Sequence, residues 1–270
     1  MRGGASLTAI GVFDSGIGGL TVLKALREVL PGESFLYLGD TARLPYGTKS
    51  PRTITRYLQQ NVSFLKSVGV KAVVVACNTA STVLKEAHLN GLPVYGVIEP
   101  GARAALAGTH AGVIGVLATR ATVHSGAYEQ ALLAIRSDVH VVQQACPLLV
   151  PLVEEGWAHD PVTETVLHRY LTAPLEAHVD TLILGCTHYP VLKDVVQKMA
   201  GPTIRVIDSA HALAYEVAAD IEAGRIPANG DGGGIQVFTT DISPSFQQLG
   251  SHILAPHAID SWELADIRGD

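Results

Sequence analysis

Short apolar runs alternate with amphipathic stretches along most of this chain. The runs at 10–13, 34–38 and 72–76 have the length of buried strands, and a stretch with helical spacing of its apolar positions follows each of them. Strands that alternate with helices in this way are typical of parallel sheets with helices on their faces. The pattern therefore predicts an α/β fold with mainly parallel sheets.

The second half of the chain repeats this scheme. Apolar runs at 113–117, 139–143 and 181–184 predict three more strands, and the interval from Asp14 to Cys77 is nearly that from Thr119 to Cys186. We interpret the halves as diverged copies of one unit. They predict two similar lobes, related by a pseudo-twofold axis, with the active site in the cleft between them.

The tail has a predicted helix at 210–223 and a predicted strand at 235–239, joined by a glycine-rich turn at 229–234. We expect this tail to complete the first lobe. The predicted N-terminal lobe is therefore discontinuous, with residues 1–98 and 209–270, and the C-terminal lobe is 99–208.

Glycine, proline and polar residues also predict where the chain lacks regular structure. We expect a strand at 94–98 and a turn at 99–101, a loop at 118–122, and an irregular connection over 146–156.

Composition excludes several classes of protein. Of the 270 residues, 47% are hydrophobic and 16% are charged, which indicates a compact globular protein. A net charge of −6 offers no basic face for nucleic acid. No apolar stretch approaches the ~20 residues that cross a bilayer, and residues 1–6 lack the apolar run of a signal peptide. We expect a cytoplasmic protein with no membrane partner.

Cys77 and Cys186 stand in matched positions, each at the end of an apolar strand-like run. In open α/β sheets ligands bind beyond the carboxyl ends of the strands, so we expect both thiols to face one pocket. Two identical acid/base groups on opposite sides of one substrate suit a racemase, which removes a proton from one face and returns it to the other. Cys146 is not followed by small polar residues, so we interpret it as structural. No short cysteine spacing indicates a metal site.

Polar residues follow each of the two cysteines. Asn78 and Thr79 come after Cys77, and Thr187 and His188 come after Cys186. Their side chains are suited to hydrogen bonding a carboxylate or ammonium group, and His188 is a candidate proton-transfer partner. We also expect a helix N-terminus after each cysteine, which would favour the thiolate.

A glycine-rich turn follows the first strand, with Asp14 and Ser15 ahead of Gly16, Gly18 and Gly19. The glycine spacing does not match the dinucleotide-binding pattern. We expect the backbone N–H groups of this turn to hold a substrate carboxylate, and Asp14 to orient a thiol or act on its protonation state.

Four motifs together resemble the bacterial glutamate racemase family of the aspartate/glutamate racemase superfamily. They are FDSGIGGLTV at 13–22, GDTARLPYG at 39–47, ACNTAS at 76–81 and GCTHYP at 185–190. The resemblance implies a two-lobed α/β enzyme without cofactor or metal, usually a homodimer, that makes D-glutamate for peptidoglycan.

The resemblance also implies roles for individual residues. Cys77 is expected to take the proton from D-glutamate and Cys186 from L-glutamate, assisted by Asp14, His188 and Glu154. Because Glu155 adjoins Glu154, a one-residue shift would exchange them. The implied substrate contacts are Asp14, Ser15, Tyr46, Gly47, Cys77, Asn78, Thr79, Cys186, Thr187 and His188.

Two alternatives stay open. The chain is also consistent with another two-cysteine member of the superfamily, namely an aspartate or hydantoin racemase or a maleate isomerase. A noncatalytic protein that binds an acidic ligand in the cleft is the alternative from a different class.

Overall fold

The computed structural model describes residues 9–229 and 233–267, which form two separate sheets with helices around them. Residues 1–6, on which the signal-peptide prediction was based, lie outside the described residues. The same holds for the middle of the predicted turn at 229–234.

The first sheet has seven strands in the order β11-β10-β2-β1-β3-β5-β4. All neighbouring strands are parallel except the edge pair β4 and β5. Its strands are β1 (Ala9–Asp14), β2 (Ser34–Gly39), β3 (Val70–Val75), β4 (His88–Leu89), β5 (Leu92–Gly96), β10 (Ile235–Thr239) and β11 (Ser261–Leu264).

The second sheet has four parallel strands in the order β7-β6-β8-β9. Its strands are β6 (Val113–Ala118), β7 (His140–Ala145), β8 (Thr181–Gly185) and β9 (Arg205–Ile207). We use first lobe and second lobe for each sheet with its surrounding helices.

The two sheets repeat one topology. In each, the earliest strand is flanked on one side by the next strand in sequence and on the other side by a later one, as β2-β1-β3 and β7-β6-β8. The chain reverses its winding direction at such a central strand, where ligands bind beyond the carboxyl ends. The predicted fold class, two similar α/β lobes with mainly parallel sheets, is confirmed.

The helices cover the sheet faces and connect the strands. They are α1 (Leu20–Val29), α2 (Pro51–Ser67), α3 (Asn78–Ser81), α4 (Ile98–Gly108), α5 (Arg120–Ser125), α6 (Ala127–Ile135), α7 (Leu149–Glu154), α8 (Pro161–Glu176), α9 (Lys193–Ala200), α10 (Ala210–Glu222) and α11 (Pro244–Leu254). Short 3₁₀ turns lie at Thr41–Arg43, Tyr46–Thr48 and Tyr189–Leu192. Among the helices of residues 9–229 and 233–267, none has both the length and the apolar character needed to cross a bilayer.

Three segments that were predicted to lack regular structure contain helix instead. The predicted turn at 99–101 lies in the first turn of α4, so the strand before it ends at Gly96, and the connection at 146–156 contains α7. Pro100 and Pro151 misled the prediction, because each is the third residue of its helix, where a backbone N–H has no intrahelical partner to lose.

The predicted loop at 118–122 is also wrong, because α5 begins inside it. Thr119 is the N-cap of α5, and its hydroxyl accepts a hydrogen bond from the Thr122 N–H at 3.2 Å. The tail contains α11 and β11, which the sequence pattern did not predict. Ser243 followed by Pro244 is the cap-and-proline start of α11, a signal that could have indicated it.

The tail packs on the first lobe. Strand β10 pairs with β2, and Leu213 and Val217 of α10 lie in one buried cluster with Leu23 and Leu26 of α1. The exact limits of the lobes, residues 1–98 with 209–270 and residues 99–208, stay a prediction.

A buried ion pair fastens the start of the tail to the first sheet. Lys71 Nζ lies 2.5 Å from Glu33 Oε2, and their side chains are only 3% and 5% exposed. Lys71 also donates to the Pro227 carbonyl and to Asn229 Oδ1, while Glu33 accepts from the Asn229 N–H. The two charges therefore neutralise each other, and their hydrogen bonds hold the chain segment that leads into β10.

We predict that Lys71→Met lowers the free energy of unfolding by about 3–5 kcal/mol, because Glu33 would be left as an unpaired buried charge. Urea denaturation measures this change. The control is Lys198→Met, whose pair with Glu164 is exposed and whose loss should cost below about 1 kcal/mol. Equal losses in the two variants would contradict this role for Lys71.

Candidate active site

A cavity of about 270 Å³ lies where the carboxyl ends of the two sheets meet. Residues of both lobes line it, and Cys77 and Cys186 are both among them. Cys77 follows β3 and belongs to a buried cluster of the first lobe, whereas Cys186 follows β8 and belongs to a cluster of the second. The structure thus brings the two thiols to one cavity from opposite lobes.

Cys77 lies in a setting that favours the neutral thiol. Burial raises the pKa of Cys77 above its usual value, and the negative charge of Asp14 raises it further by a smaller amount. Hydrogen bonds with the Ala80 N–H at 3.4 Å and the Ser15 hydroxyl at 3.6 Å oppose this shift without outweighing it. The predicted helix does follow Cys77, but α3 is one turn long and does not outweigh burial.

Cys186 lies beside a histidine that carries a positive charge. The His188 Nδ1 atom is 4.0 Å from Cys186 Sγ, and its Nε2 atom is 3.1 Å from Glu154 Oε1. Burial disfavours the imidazolium, but the hydrogen bonds with Cys186 and Glu154 outweigh it and raise the pKa of His188 to about 10. The imidazole therefore places a positive charge beside Cys186 Sγ.

The helix expected after Cys186 is only a short 3₁₀ helix at first. A 3₁₀ turn begins at Tyr189, and α9 begins only at Lys193. The charge of His188, rather than a helix dipole, is what lies next to this thiol.

The carboxylate in contact with His188 is that of Glu154 rather than Glu155. Helix α7 ends at Glu154 and places its side chain on the cavity lining, in contact with His188. Glu155 is exposed and does not line the cavity. The sequence left these two positions open because α7 itself was not predicted.

Asp14 lies behind the wall of the cavity rather than on it. It is fully buried, and its two carboxylate oxygens accept from the Gly16 N–H at 3.0 Å and the Thr187 hydroxyl at 3.3 Å. Asp14 therefore joins the two lobes and acts electrostatically on Cys77, while Ser15 and Gly16 line the cavity.

The glycine-rich turn does not form the predicted carboxylate cradle. The Gly16 N–H is already used by Asp14, and Gly18 and Gly19 do not line the cavity. A Cβ at position 18 would lie 2.5 Å from both His188 Nδ1 and Thr187 Oγ1. Glycine is needed here so that the first lobe can approach the residues after Cys186.

Three threonine hydroxyls bridge the lobes beside the cavity. Thr79 Oγ1 lies 3.0 Å from Thr119 Oγ1 and 3.1 Å from Thr122 Oγ1, and the last two are 3.0 Å apart. Thr79 and Thr119 line the cavity, as does Asn78. Sequence reasoning missed Thr119 as a site residue, although the repeat places it after β6 much as Asp14 ends β1.

Tyr46 and Gly47 line the cavity from a loop of the first lobe. The Tyr46 hydroxyl donates to Asp40 and accepts from Asn61, so it is held within the first lobe. A Cβ on Gly47 would lie 2.7 Å from the Thr119 Cβ. Thr187 and His188 also line the cavity. The lining residues that the sequence did not indicate are Leu44, Pro45, Thr48, Thr119, Arg120, Pro147, Val150 and Pro151.

Cys146 is fully buried outside this lining, with its thiol directed to the Gln144 carbonyl at 3.4 Å. All three cysteines are free thiols. In the part of the chain that the structure describes, His, Cys, Asp and Glu side chains form no group of three that would hold a metal ion.

Comparisons with known proteins agree on one family. A family model described as Asp/Glu/Hydantoin racemase matches residues 10–217. The chain is 46% identical over 260 residues to a glutamate racemase of Geobacter metallireducens, covering 95% of this chain and 96% of the relative.

Two solved structures have the same fold as this chain. A glutamate racemase isoform of Bacillus anthracis is similar with a TM-score of 0.92 and 37% identity, over 98% of this chain and 100% of the other. A glutamate racemase of Francisella tularensis, solved in complex with D-glutamate, is similar with a TM-score of 0.89 and 33% identity, over 97% and 98% of the two chains.

We predict that Glu154→Gln lowers the pKa of His188 from about 10 by roughly one unit, because the variant removes a negative charge that favours the imidazolium. NMR titration of the His188 ring measures it. The matched control, Glu155→Gln, should leave this pKa unchanged. A shift of equal size in both variants, or in neither, would assign the charge on His188 to other groups.

Proposed function

Because this chain belongs to the Asp/Glu/hydantoin racemase family, we propose that it is an isomerase that interconverts L-glutamate and D-glutamate. The observation that carries the proposal is the presence of two buried thiols, Cys77 and Cys186, in one small cavity from opposite lobes. This arrangement suits removal of a proton from one face of the α-carbon and delivery of a proton to the other.

The reaction needs strong acid/base groups, because the α-hydrogen of an amino acid is a very weak acid. With L-glutamate, the Cys186 thiolate takes the α-proton while the neutral Cys77 thiol gives a proton to the opposite face. The products are D-glutamate, a Cys186 thiol and a Cys77 thiolate. The reverse reaction starts from that second protonation state, and no cofactor enters either direction.

The surrounding groups stabilise the charges that form along the way. His188, held by Glu154, balances the Cys186 thiolate, and the Ser15 hydroxyl and Ala80 N–H are placed to support negative charge on Cys77. Donors of Asn78 and Thr79, with the backbone N–H of Thr187, whose hydroxyl is held by Asp14, bind the α-carboxylate, which gains negative charge in the transition state. The proposed substrate contacts also include Tyr46 and Gly47.

In the cell, the D-glutamate made by this reaction supplies peptidoglycan synthesis. The proposal includes a cytoplasmic location and a homodimer. Sedimentation equilibrium of the purified protein would test the dimer, with a mass near the 28.4 kDa of one chain as the result that rejects it.

Incubation with L-glutamate and D-glutamate in D₂O, without added cofactor, tests the activity. We expect deuterium to enter the α-position with inversion, measured by ¹H NMR and chiral chromatography. Cys77→Ala and Cys186→Ala should each lower racemisation by roughly 10³-fold or more, since each removes one proton-transfer group. Cys146→Ala, a thiol outside the cavity, is the matched control and should retain activity.

Other outcomes of this experiment identify the alternatives. Turnover of aspartate, a hydantoin or maleate in place of glutamate would indicate another activity of the superfamily. Binding of glutamate without exchange would indicate a noncatalytic protein. Normal racemisation by either single-cysteine variant would refute the two-thiol mechanism.

We also predict that Gly18→Ala lowers kcat/KM by roughly 10²-fold, because the added methyl group displaces His188 and Thr187. Steady-state kinetics measure the change. In Gly32→Ala the added methyl group meets no atom within 4 Å, so this control should keep its activity. Activity of Gly18→Ala equal to that of the control would show that the close contact at Gly18 is not needed.

A further inference from the structure

Tyr128 of α6 lies buried between two glycines, outside the lining of the cavity. A Cβ on Gly185 would lie 3.0 Å from Tyr128 Cε2, and a Cβ on Gly101 would lie 3.4 Å from Tyr128 Cε1. The ring has no exposed surface, and Gly185 directly precedes Cys186. The position of Tyr128 is therefore fixed by packing against the backbone next to one of the two thiols.

The hydroxyl of Tyr128 reaches the residue next to the other thiol. It donates to Asn78 Oδ1 at 2.6 Å, and Asn78 directly follows Cys77. Tyr128 belongs to the second lobe and Asn78 to the first, so this hydrogen bond joins the lobes. Asn78 itself lines the cavity and is 4% exposed.

The surroundings of Tyr128 keep its hydroxyl as a donor. Burial raises the pKa of Tyr128, opposed by a hydrogen bond with Ser209, so the phenol stays protonated. The phenol proton points at Asn78 Oδ1. The amide oxygen of Asn78 is thus occupied, and its NH₂ group is left for the cavity.

We propose that Tyr128 is a positioning residue that fixes the Asn78 amide so that its NH₂ group, and not its oxygen, meets the substrate carboxylate. This inference deepens the proposed function and rests on it. Without Tyr128 the amide is free to rotate by half a turn, which would place an oxygen against the carboxylate and repel it. The fixed amide instead donates a charge-assisted hydrogen bond.

The test is Tyr128→Phe, which removes the hydroxyl and keeps the ring. We expect kcat/KM for glutamate to fall about five- to tenfold, mainly through KM, as for the loss of one hydrogen bond. Tyr95→Phe is the matched control. It removes a hydroxyl that donates to Asp220 at 2.5 Å. Neither Tyr95 nor Asp220 lines the cavity, so this variant should leave kcat/KM unchanged.

A double-mutant cycle with Asn78→Ala separates positioning from a general structural role. If Tyr128 acts through Asn78, Tyr128→Phe has no further effect once Asn78 is alanine. Losses that multiply in the double variant would overturn the proposal, as would an unchanged kcat/KM in Tyr128→Phe. Ser209→Ala gives a second approach if Tyr128→Phe does not fold, and a smaller rise in KM is expected. An unchanged KM in Ser209→Ala would then count against the proposal.

Calorimetric titration with D-glutamate distinguishes this proposal from the proposed function. If the wild-type protein racemises glutamate and Tyr128→Phe binds D-glutamate as tightly as wild type does, only the role of Tyr128 is overturned. Wild-type protein that binds glutamate without turnover still supports the role if Kd rises five- to tenfold in Tyr128→Phe. Wild-type protein that neither turns over nor binds glutamate overturns both.

Discussion

The close contact between the two lobes at the carboxyl ends of their sheets is the constraint on which the site depends. Two thiols act on one small molecule only if they are held a molecule's width apart, and each comes from a different lobe. The chain achieves this contact by removing side chains at Gly18 and Gly47, which abut His188 and Thr119. Hydroxyl groups of Thr79, Thr119 and Thr122 then fill the contact with hydrogen bonds that cross it.

The surroundings of the two cysteines differ in charge. Burial and the Asp14 carboxylate favour the neutral thiol of Cys77, whereas Cys186 lies beside the His188 imidazolium. In the proposed mechanism one cysteine takes a proton while the other gives one, so the two need opposite protonation states. Divergence between the repeated halves, a carboxylate behind one cysteine and a histidine beside the other, provides the needed asymmetry.

Sequence reasoning succeeded where a feature depends on local pattern. Apolar runs located most of the strands, and polar residues after 77 and 186 indicated which strand ends carry chemistry, because parallel strands expose their carboxyl ends at one edge. It failed where one residue type is compatible with two different local structures. Pro100 and Pro151 were read as breaks, although proline fits a first helical turn, and the glycines after Asp14 were read as an anion cradle instead of a packing contact. Thr119 and Tyr128 form hydrogen bonds across the lobe boundary, and sequence patterns do not show such long-range contacts.

The order of the strands has a consequence for how this chain is made. The second sheet is built from one continuous stretch, β6 to β9, so it has all its strands once residue 207 has left the ribosome. The first sheet is complete only when β10 pairs with β2. Strand β10 is synthesised some 200 residues after β2. During that interval the edge of β2 is unpaired, and an unpaired strand edge is a template for pairing with a neighbouring chain.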